Sequence, residues 1–492
     1  MNVGNNNFMD LLLNTHNYIN QLKKEKKAYT HIAINTANHL LNYKGTVSEY
    51  SNLLSMIYEK ADKNTKRDID RFRELRVNLS NIYNNIKKDN TQPIEYIEEE
   101  ISKIEIRLNK NIKEFREFNK LKNISIEDIS KILNTNELYI DFIRSYEEYY
   151  LFTIDKFNHI EFKQIAKKDT IELDKTIQIF RKNNKNKATK SIKETKQILN
   201  DIYNILSQYI NFKSKKSLII SPDGLLNFLP FEALYDGEKY LVESVNISYI
   251  PSGRELVRQS RRNESKTKSD NIVVFAHPDY DLTDRRENPK SYTNTKSWNS
   301  YLAPLTGSLE EAKIIKYLYP KSKTYKDKEA TIEALFKIKS PKILHISTHG
   351  KFVDDRNITN PMQQTFLAFV DANLVPRDRD YRGIATALKL SSLSLNNTEL
   401  VFLSACETGL GTIQTAEGVQ GLPKAFIQAG AKNIIMSLWQ VDDSKTTELT
   451  RYFYENIKSG MIYKEALREA KLKMIEMHPY YWSGFVFSGL DI

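Results

Sequence analysis

Two residues in this chain are of types that, set side by side, make a covalent catalyst. Cys406 follows the apolar run Leu400-Val401-Phe402-Leu403-Ser404-Ala405, and His349 follows Ile343-Leu344-His345-Ile346-Ser347-Thr348 and precedes Gly350. Short apolar runs of this kind read as buried strands of a parallel sheet. In an open parallel α/β sheet, reactive groups gather at the carboxyl ends of the strands, so both residues are expected at one edge. With the strands adjacent, a thiol and an imidazole face each other across a gap that a peptide bond can enter. A free thiol is only a few per cent thiolate near neutral pH, and an imidazole that takes its proton turns it into a strong nucleophile. Gly350 leaves its own N–H unobstructed. Together with the N–H of Cys406, it offers two donors to the oxygen of a tetrahedral intermediate.

Plainer readings stand beside this one. A lone cysteine at the end of an apolar strand also suits a small buried hydrophobe. His345 and His349 are four apart, the spacing of a zinc pair on a helix, but on a strand they lie about 13 Å apart, too far to share one ion. His345 is therefore read as structural. Gly409-Leu410-Gly411 is only part of a phosphate-loop pattern, without the later glycine or lysine, so nucleotide binding is not expected.

The elements that must position these residues are legible in outline. At 492 residues the chain is long enough for two or three domains, and its single cysteine excludes an intramolecular disulfide. The start of the chain does not read as a signal peptide, and no run of about 18 apolar residues occurs, so a cytoplasmic location without a membrane span is expected. The formal charge of +11 raises nucleic-acid binding as one reading. The lysines are interleaved with acids, as from Glu98 through Lys103, Glu105 and Arg107, which is the pattern of solvated helix faces; direct nucleic-acid binding is not expected.

Residues 8–122 have helical character, with stripes such as Ile97, Ile101, Ile104 and Leu108 and breaks near Lys44-Gly45 and at 89–93. No 34-residue period is visible, and the stripe must bury itself on the rest of the chain or on a partner. From residue 123 the texture changes. Ser125 reads as an N-cap, 138–142, 149–154 and 160–165 as strands, and 170–210 as a long helix with a polar interruption at 183–187. Strands at 218–220, 272–275, 343–348, 400–403 and 433–438 then alternate with helices, the signature of a mostly parallel sheet covered on both faces. The polar stretches 258–270 and 283–300 read as exposed connectors or as processing sites.

A set of ordered motifs resembles the CHAT peptidases, caspase-like domains found with tetratricopeptide repeats and related to caspases and separase. The set begins with Ser221-Pro222-Asp223-Gly224, Phe228-Leu229-Pro230-Phe231-Glu232-Ala233-Leu234 and Tyr249-Ile250-Pro251-Ser252. It continues with His345-Ile346-Ser347-Thr348-His349-Gly350 and Leu403-Ser404-Ala405-Cys406-Glu407-Thr408-Gly409, then Glu417-Gly418-Val419 and Phe426-Ile427-Gln428-Ala429-Gly430-Ala431. Ser437-Leu438-Trp439-Gln440-Val441-Asp442-Asp443 follows, and Tyr480-Tyr481-Trp482-Ser483-Gly484-Phe485 resembles the closing strand. The resemblance spans about 125–492, and 30–122 resembles the helices that link repeats to protease in longer members. The histidine precedes the cysteine by 57 residues (406 minus 349), close to the roughly 50 of caspases.

The resemblance implies an α/β fold: a caspase-like, mostly parallel sheet flanked by helices and preceded by an all-α region. It implies a helical region at 1–122, a first, non-catalytic half at 123–270 and a catalytic half at 271–492. The implied activity is cysteine endopeptidase chemistry through a His349/Cys406 dyad and a thioester acyl-enzyme, without metal or organic cofactor. The implied setting is a regulated bacterial defence or signalling system. Its substrate would be a protein, such as a gasdermin-like or other effector, and an activating protein partner would meet the N-terminal helices. The stretch at 439–443 resembles the part of separase that carries an acid for the arginine before the scissile bond, making Asp443 the first candidate for substrate binding, then Asp442, with Trp439 beside them. Asp443-Ser444 equally sits where a helix through Glu448, Leu449 and Phe453 needs its N-cap. The rival function is a catalytically inactive scaffold that binds a protein partner.

Overall fold

The computed structural model describes residues 2–25, 29–44, 53–54, 57–58, 61–83, 94–113, 115–116, 123–145, 147–184, 188–261, 271–282, 301–352, 361–374, 383–405, 412–414, 418–440 and 442–490. Sixteen strands occur among them. In chain order they are β1 (Glu137–Ser145), β2 (Glu148–Asp155), β3 (Ile160–Ile165), β4 (Ser217–Ser221), β5 (Asn246–Tyr249), β6 (Ile272–Pro278), β7 (Lys323–Asp327) and β8 (Ile343–Ser347). They continue as β9 (Gly350–Phe352), β10 (Thr365–Ala368), β11 (Ile384–Thr386), β12 (Leu400–Ser404), β13 (Thr412–Gln414), β14 (Gly418–Gln420), β15 (Asn433–Ser437) and β16 (Phe485–Ser488).

Eleven of them form one sheet in the order β3-β2-β1-β4-β5-β16-β15-β12-β8-β6-β7. Seven of its ten neighbouring pairs are parallel. Strands β1–β3 form an antiparallel meander at one end, and β16 runs antiparallel to β15 at the centre. The expected mixed α/β architecture with a mostly parallel sheet is present. Strands β8 and β12 are buried at every residue, which explains their largely apolar texture. Successive side chains alternate between faces: Phe402 packs into one core with Phe453 and Tyr454, Val401 and Leu403 into another with Leu344 and Phe426.

The helix expected over 170–210 is two helices, Lys167–Asn183 and Ile192–Ser207. The second begins at a capping box in which Glu194 N–H donates to Ser191 Oγ while the Glu194 carboxylate takes the Ser191 N–H, a local device that separates it from the first. The closing strand also lies further along than the resemblance placed it. Residues Pro479–Trp482 form a helical turn with proline at its start and His478 Nδ1 accepting from Tyr480 N–H, and the strand follows at β16.

The stripe Ile97, Ile104 and Leu108 of the Ile94–Asn111 helix is buried against Ile69, Phe72 and Leu75 of the Lys63–Tyr83 helix. The first two helices, Asn2–Lys24 and Thr30–Tyr43, instead share a core with the meander: Leu12, Ile19, Ala37 and Leu41 pack with Tyr139, Tyr150 and Phe162. Just beyond them, the fully buried Lys44 ammonium donates to Asp141 Oδ1 at 2.6 Å, Ser221 Oγ at 2.7 Å and the carbonyls of Phe142 and Ser221 at 2.8 and 3.0 Å. Gly253 starts the helix Gly253–Ser260 against the same helices, and a Cβ there would overlap Leu41. No helix among the described residues is long and apolar enough to cross a membrane.

Candidate active site

Strands β8 and β12 are parallel neighbours with Ser347 opposite Ser404. His349 lies two residues past Ser347 and Cys406 two residues past Ser404, so the register brings the two chain continuations to a common edge, as the sequence pattern predicts. Cys406 itself lies outside the described residues, as do most of the two expected connector loops, 262–270 and 283–300. The last described residue before it is Ala405, whose carbonyl accepts a hydrogen bond of 2.6 Å from Ser437 Oγ on β15.

His349 is held from three sides. Its Nε2 lies 2.7 Å from the Ala303 carbonyl oxygen. A carbonyl can only accept, so Nε2 carries the hydrogen and Nδ1 keeps the lone pair. The ring sits against Tyr280 with centroids 5.3 Å apart, and the His349 N–H donates to the Tyr280 hydroxyl at 3.3 Å. That hydroxyl also bonds Thr348 Oγ1 at 2.9 Å. Burial pushes the His349 pKa below the usual 6.5; the Ala303 carbonyl opposes the shift and the Lys351 charge adds to it. The resting ring is therefore neutral at pH 7.

The Ala303 carbonyl owes its position to a side chain far along the chain. Asn373 accepts from Leu302 N–H at 3.0 Å and donates back to the Leu302 carbonyl at 3.1 Å and to Asp281 at 3.0 Å. Tyr301 donates to the other Asp281 oxygen at 2.9 Å. These contacts strap residues 301–303 over the histidine.

Gly350 opens β9, an edge strand of the small sheet β11-β10-β9. Ala368 N–H donates to the His349 carbonyl at 2.9 Å, which makes 349/368 a hydrogen-bonded pair. The next rung, Gly350 opposite Leu367, is then a non-bonded pair, and the Gly350 N–H turns away from β10.

A shallow, solvent-open pocket lies at the carboxyl ends of β8, β12 and β15 and includes Ser347, Thr348, Ala405 and two acids, Glu311 and Asp443. The neighbouring aspartates have different tasks. Asp442 is the N-cap of the helix Asp443–Lys458, accepting from Lys445 N–H at 3.1 Å, and Asp443 is that helix's first residue, facing the pocket. Burial raises the Asp443 pKa, the Glu311 and Asp442 charges raise it further, and a hydrogen bond from Gly307 N–H opposes them. Gly307 is required for this approach, because a Cβ on it would come within 2.8 Å of Asp443 Cβ. Trp439 is a core residue, with its N–H donated to the Tyr480 carbonyl at 3.1 Å and its ring edge-on to Phe180. Of the three residues at 439–443 considered for substrate contact, Asp443 alone lines this pocket.

Glu311 was not singled out by its sequence context. It comes from the helix Thr306–Leu318 and is buried at the base of the pocket. Its Oε1 accepts from Ser347 Oγ at 2.7 Å and from Ser404 Oγ at 2.8 Å; Oε2 accepts from Thr450 Oγ1 at 2.9 Å. His345 Nε2 is 3.2 Å from Oε2, near enough for an electrostatic contact but off-axis for a hydrogen bond. His345 also stacks on Phe402 and bonds the Tyr454 hydroxyl through Nδ1, in keeping with the structural role expected of it. Among the described residues, no group of three or more His, Cys, Asp or Glu is arranged to hold a metal ion.

The family model of the CHAT domain matches residues 196–490. Tetratricopeptide repeat protein 28 of Mus musculus is 24% identical over 312 residues, which is 56% of this chain and 12% of that protein. The Homo sapiens protein of the same name is 24% identical over 311 residues, with the same coverage. The matched stretch is thus a small part of the length of these curated relatives. Among solved structures, the Saccharomyces cerevisiae separase-securin complex matches with a TM-score of 0.48 and 13% identity over 78% of this chain and 32% of that one. The Arg specific cysteine proteinase gingipain R matches with a TM-score of 0.35 and 11% identity over 66% of this chain and 75% of that one.

Proposed function

The chain belongs to the CHAT domain family, and from that premise we propose that it is a cysteine endopeptidase with Cys406 as nucleophile and His349 as proton-transfer group. The observation that carries the reading is the His349 ring, with Nε2–H committed to the Ala303 carbonyl and Nδ1 left as the base, two residues past the end of a strand parallel to the one leading into Cys406.

The chemistry follows from these groups. Nδ1 takes the thiol proton, and the sulfur attacks the scissile carbonyl carbon. The N–H groups of Gly350 and Cys406 stabilise the resulting oxyanion, each worth about 2.7–4 kcal/mol in the transition state. The imidazolium, steadied by Ala303, gives its proton to the departing amine, leaving a thioester. His349 then draws a proton from water, which hydrolyses the thioester and restores the thiol. Asp443 receives the side chain before the cut. A carboxylate at the mouth of a pocket that also contains Glu311 favours arginine or lysine there. The substrate is a protein effector presenting such a residue, and a protein that switches the enzyme on would meet the N-terminal helices.

The test is to incubate the protein, Cys406→Ala and Asp443→Asn with a proteome and sequence the new N-termini. Wild type should cut after Arg or Lys, Cys406→Ala should generate none of these ends, and Asp443→Asn should lose the basic preference. Identical patterns from all three would leave a binding scaffold instead.

Acid should inactivate the enzyme in two separable ways. The base must be neutral, and because the His349 pKa is lowered, kcat persists to below pH 6.5 before falling. The specificity carboxylate must be charged, and because the Asp443 pKa is raised, KM for a basic substrate climbs at a pH above 3.8. Initial rates across pH, analysed separately for kcat and KM, check both limbs.

A further inference from the structure

We propose that Glu311 is a positioning residue, a single carboxylate that clasps the last rung of β8 to the last rung of β12 and so fixes the spacing of the two segments that carry His349 and lead into Cys406. The proposal rests on the reading of those two residues as a dyad.

The geometry is specific. Ser347 and Ser404 are direct partners in the parallel register, and their hydroxyls converge on the same oxygen of Glu311. Each serine lies two residues before a member of the dyad. Among the described residues this is the last rung of the β8–β12 ladder, and main-chain pairing of the two strands sets the separation only up to it. The turn of helix that bears Glu311 makes a second tie: Ser308 Oγ donates to the Ser347 carbonyl at 2.8 Å and accepts from the His277 N–H of β6 at 2.7 Å. Thr450 anchors the other Glu311 oxygen to the helix Asp443–Lys458, which also begins with Asp443. One side chain thereby indexes the two dyad strands against the helix that carries the specificity acid.

Stability alone is a poor account of such a group. A buried carboxylate must be repaid by hydrogen bonds, and apolar residues of similar volume commonly serve a core as well or better. What an apolar residue cannot do is hold two adjacent strand ends at one fixed separation. Near-attack geometry is sensitive at this scale, and a displacement of about 1 Å can cost about a hundredfold in rate.

The lone cysteine of the chain provides a readout independent of proteolysis. Iodoacetamide labels Cys406 at a rate set by its thiolate fraction, so the pH profile of labelling reports its pairing with His349. The variants are Ser347→Ala, Ser404→Ala and Glu311→Gln, beside His349→Ala; the first three leave Tyr280, Lys351 and the Ala303 carbonyl, the groups that face the His349 ring, unchanged. Each of the three should shift the labelling profile toward that of His349→Ala and lower kcat about ten- to a hundredfold, with little change in KM for the serine variants. Ser404→Ala combined with Glu311→Gln should cost no more than the larger single effect, since both remove the same tie. Serine variants with cooperative melts and wild-type labelling and kcat would overturn the proposal, whether or not Glu311→Gln folds. A labelling profile unmoved by His349→Ala would instead remove the dyad on which it rests.

Discussion

His349→Ala should lower kcat/KM for a cleaved peptide by about 10²- to 10⁴-fold, the range that a positioned acid–base group supplies. In the proposed mechanism the imidazole has two tasks, removing the thiol proton and protonating the leaving amine, and no other described histidine stands at the end of β8 or β12. The loss should fall on kcat, because the ring is half-covered by Tyr280 and the strap at 301–303 and offers the substrate little binding surface. In free-energy terms it is about 3–5 kcal/mol of transition-state stabilisation. Steady-state kinetics on a fluorogenic peptide, with a thermal melt to confirm the fold, decide the matter. A variant within a few-fold of wild type would take His349 out of the mechanism.

Lys44→Ala should destabilise the fold by about 3–5 kcal/mol, the usual cost of removing one partner of a buried ion pair. The ammonium is enclosed and spreads its donors over Asp141, Ser221 and two carbonyls. Without it, the Asp141 carboxylate keeps the Tyr139 hydroxyl at 2.5 Å but has lost its counter-charge inside the core. The site joins three segments: the end of the second helix, β1, and the end of β4. Lys44→Met fills the same volume without the charge and should remain destabilising. Adding Asp141→Asn to it should recover a substantial part of the loss, since the uncompensated carboxylate causes most of it. Urea unfolding followed by tyrosine fluorescence measures all three variants; a Lys44→Met midpoint equal to wild type would refute the account.

What could be read from residue types was the part of the fold that burial writes into them. Strands β8 and β12 are rich in large aliphatics because both their faces are covered, and His349 lies just past the end of one such strand. Strand β7 escaped notice because an edge strand rich in lysine, Lys323-Thr324-Tyr325-Lys326-Asp327, has no second neighbour and little apolar signal. The Ala303 contact was invisible for a different reason. It uses a main-chain carbonyl, which every residue has, and Asn373, its anchor, is about seventy residues away in the chain.

Glu311 did leave a trace. Ser308, Glu311, Ala312 and Ile315 fall on one helical face at spacings of three, four and seven, and all are buried. An acid on an apolar stripe is a group with hidden partners, whereas Glu310 beside it is solvated. The cap of the last long helix turned on one residue: with aspartates at both 442 and 443, only the extended backbone of Asp442 identifies it as the cap and leaves Asp443 facing the pocket.

The position of β16 governs when this molecule can exist at all during synthesis. It is the seam of the sheet, zipped along β15 on one side and meeting β5 at Ser488 and Tyr249 on the other, yet it is translated after every strand that it joins. On the ribosome the two half-sheets, β3-β2-β1-β4-β5 and β15-β12-β8-β6-β7, emerge with their facing edges unmatched until residues 485–488 have followed.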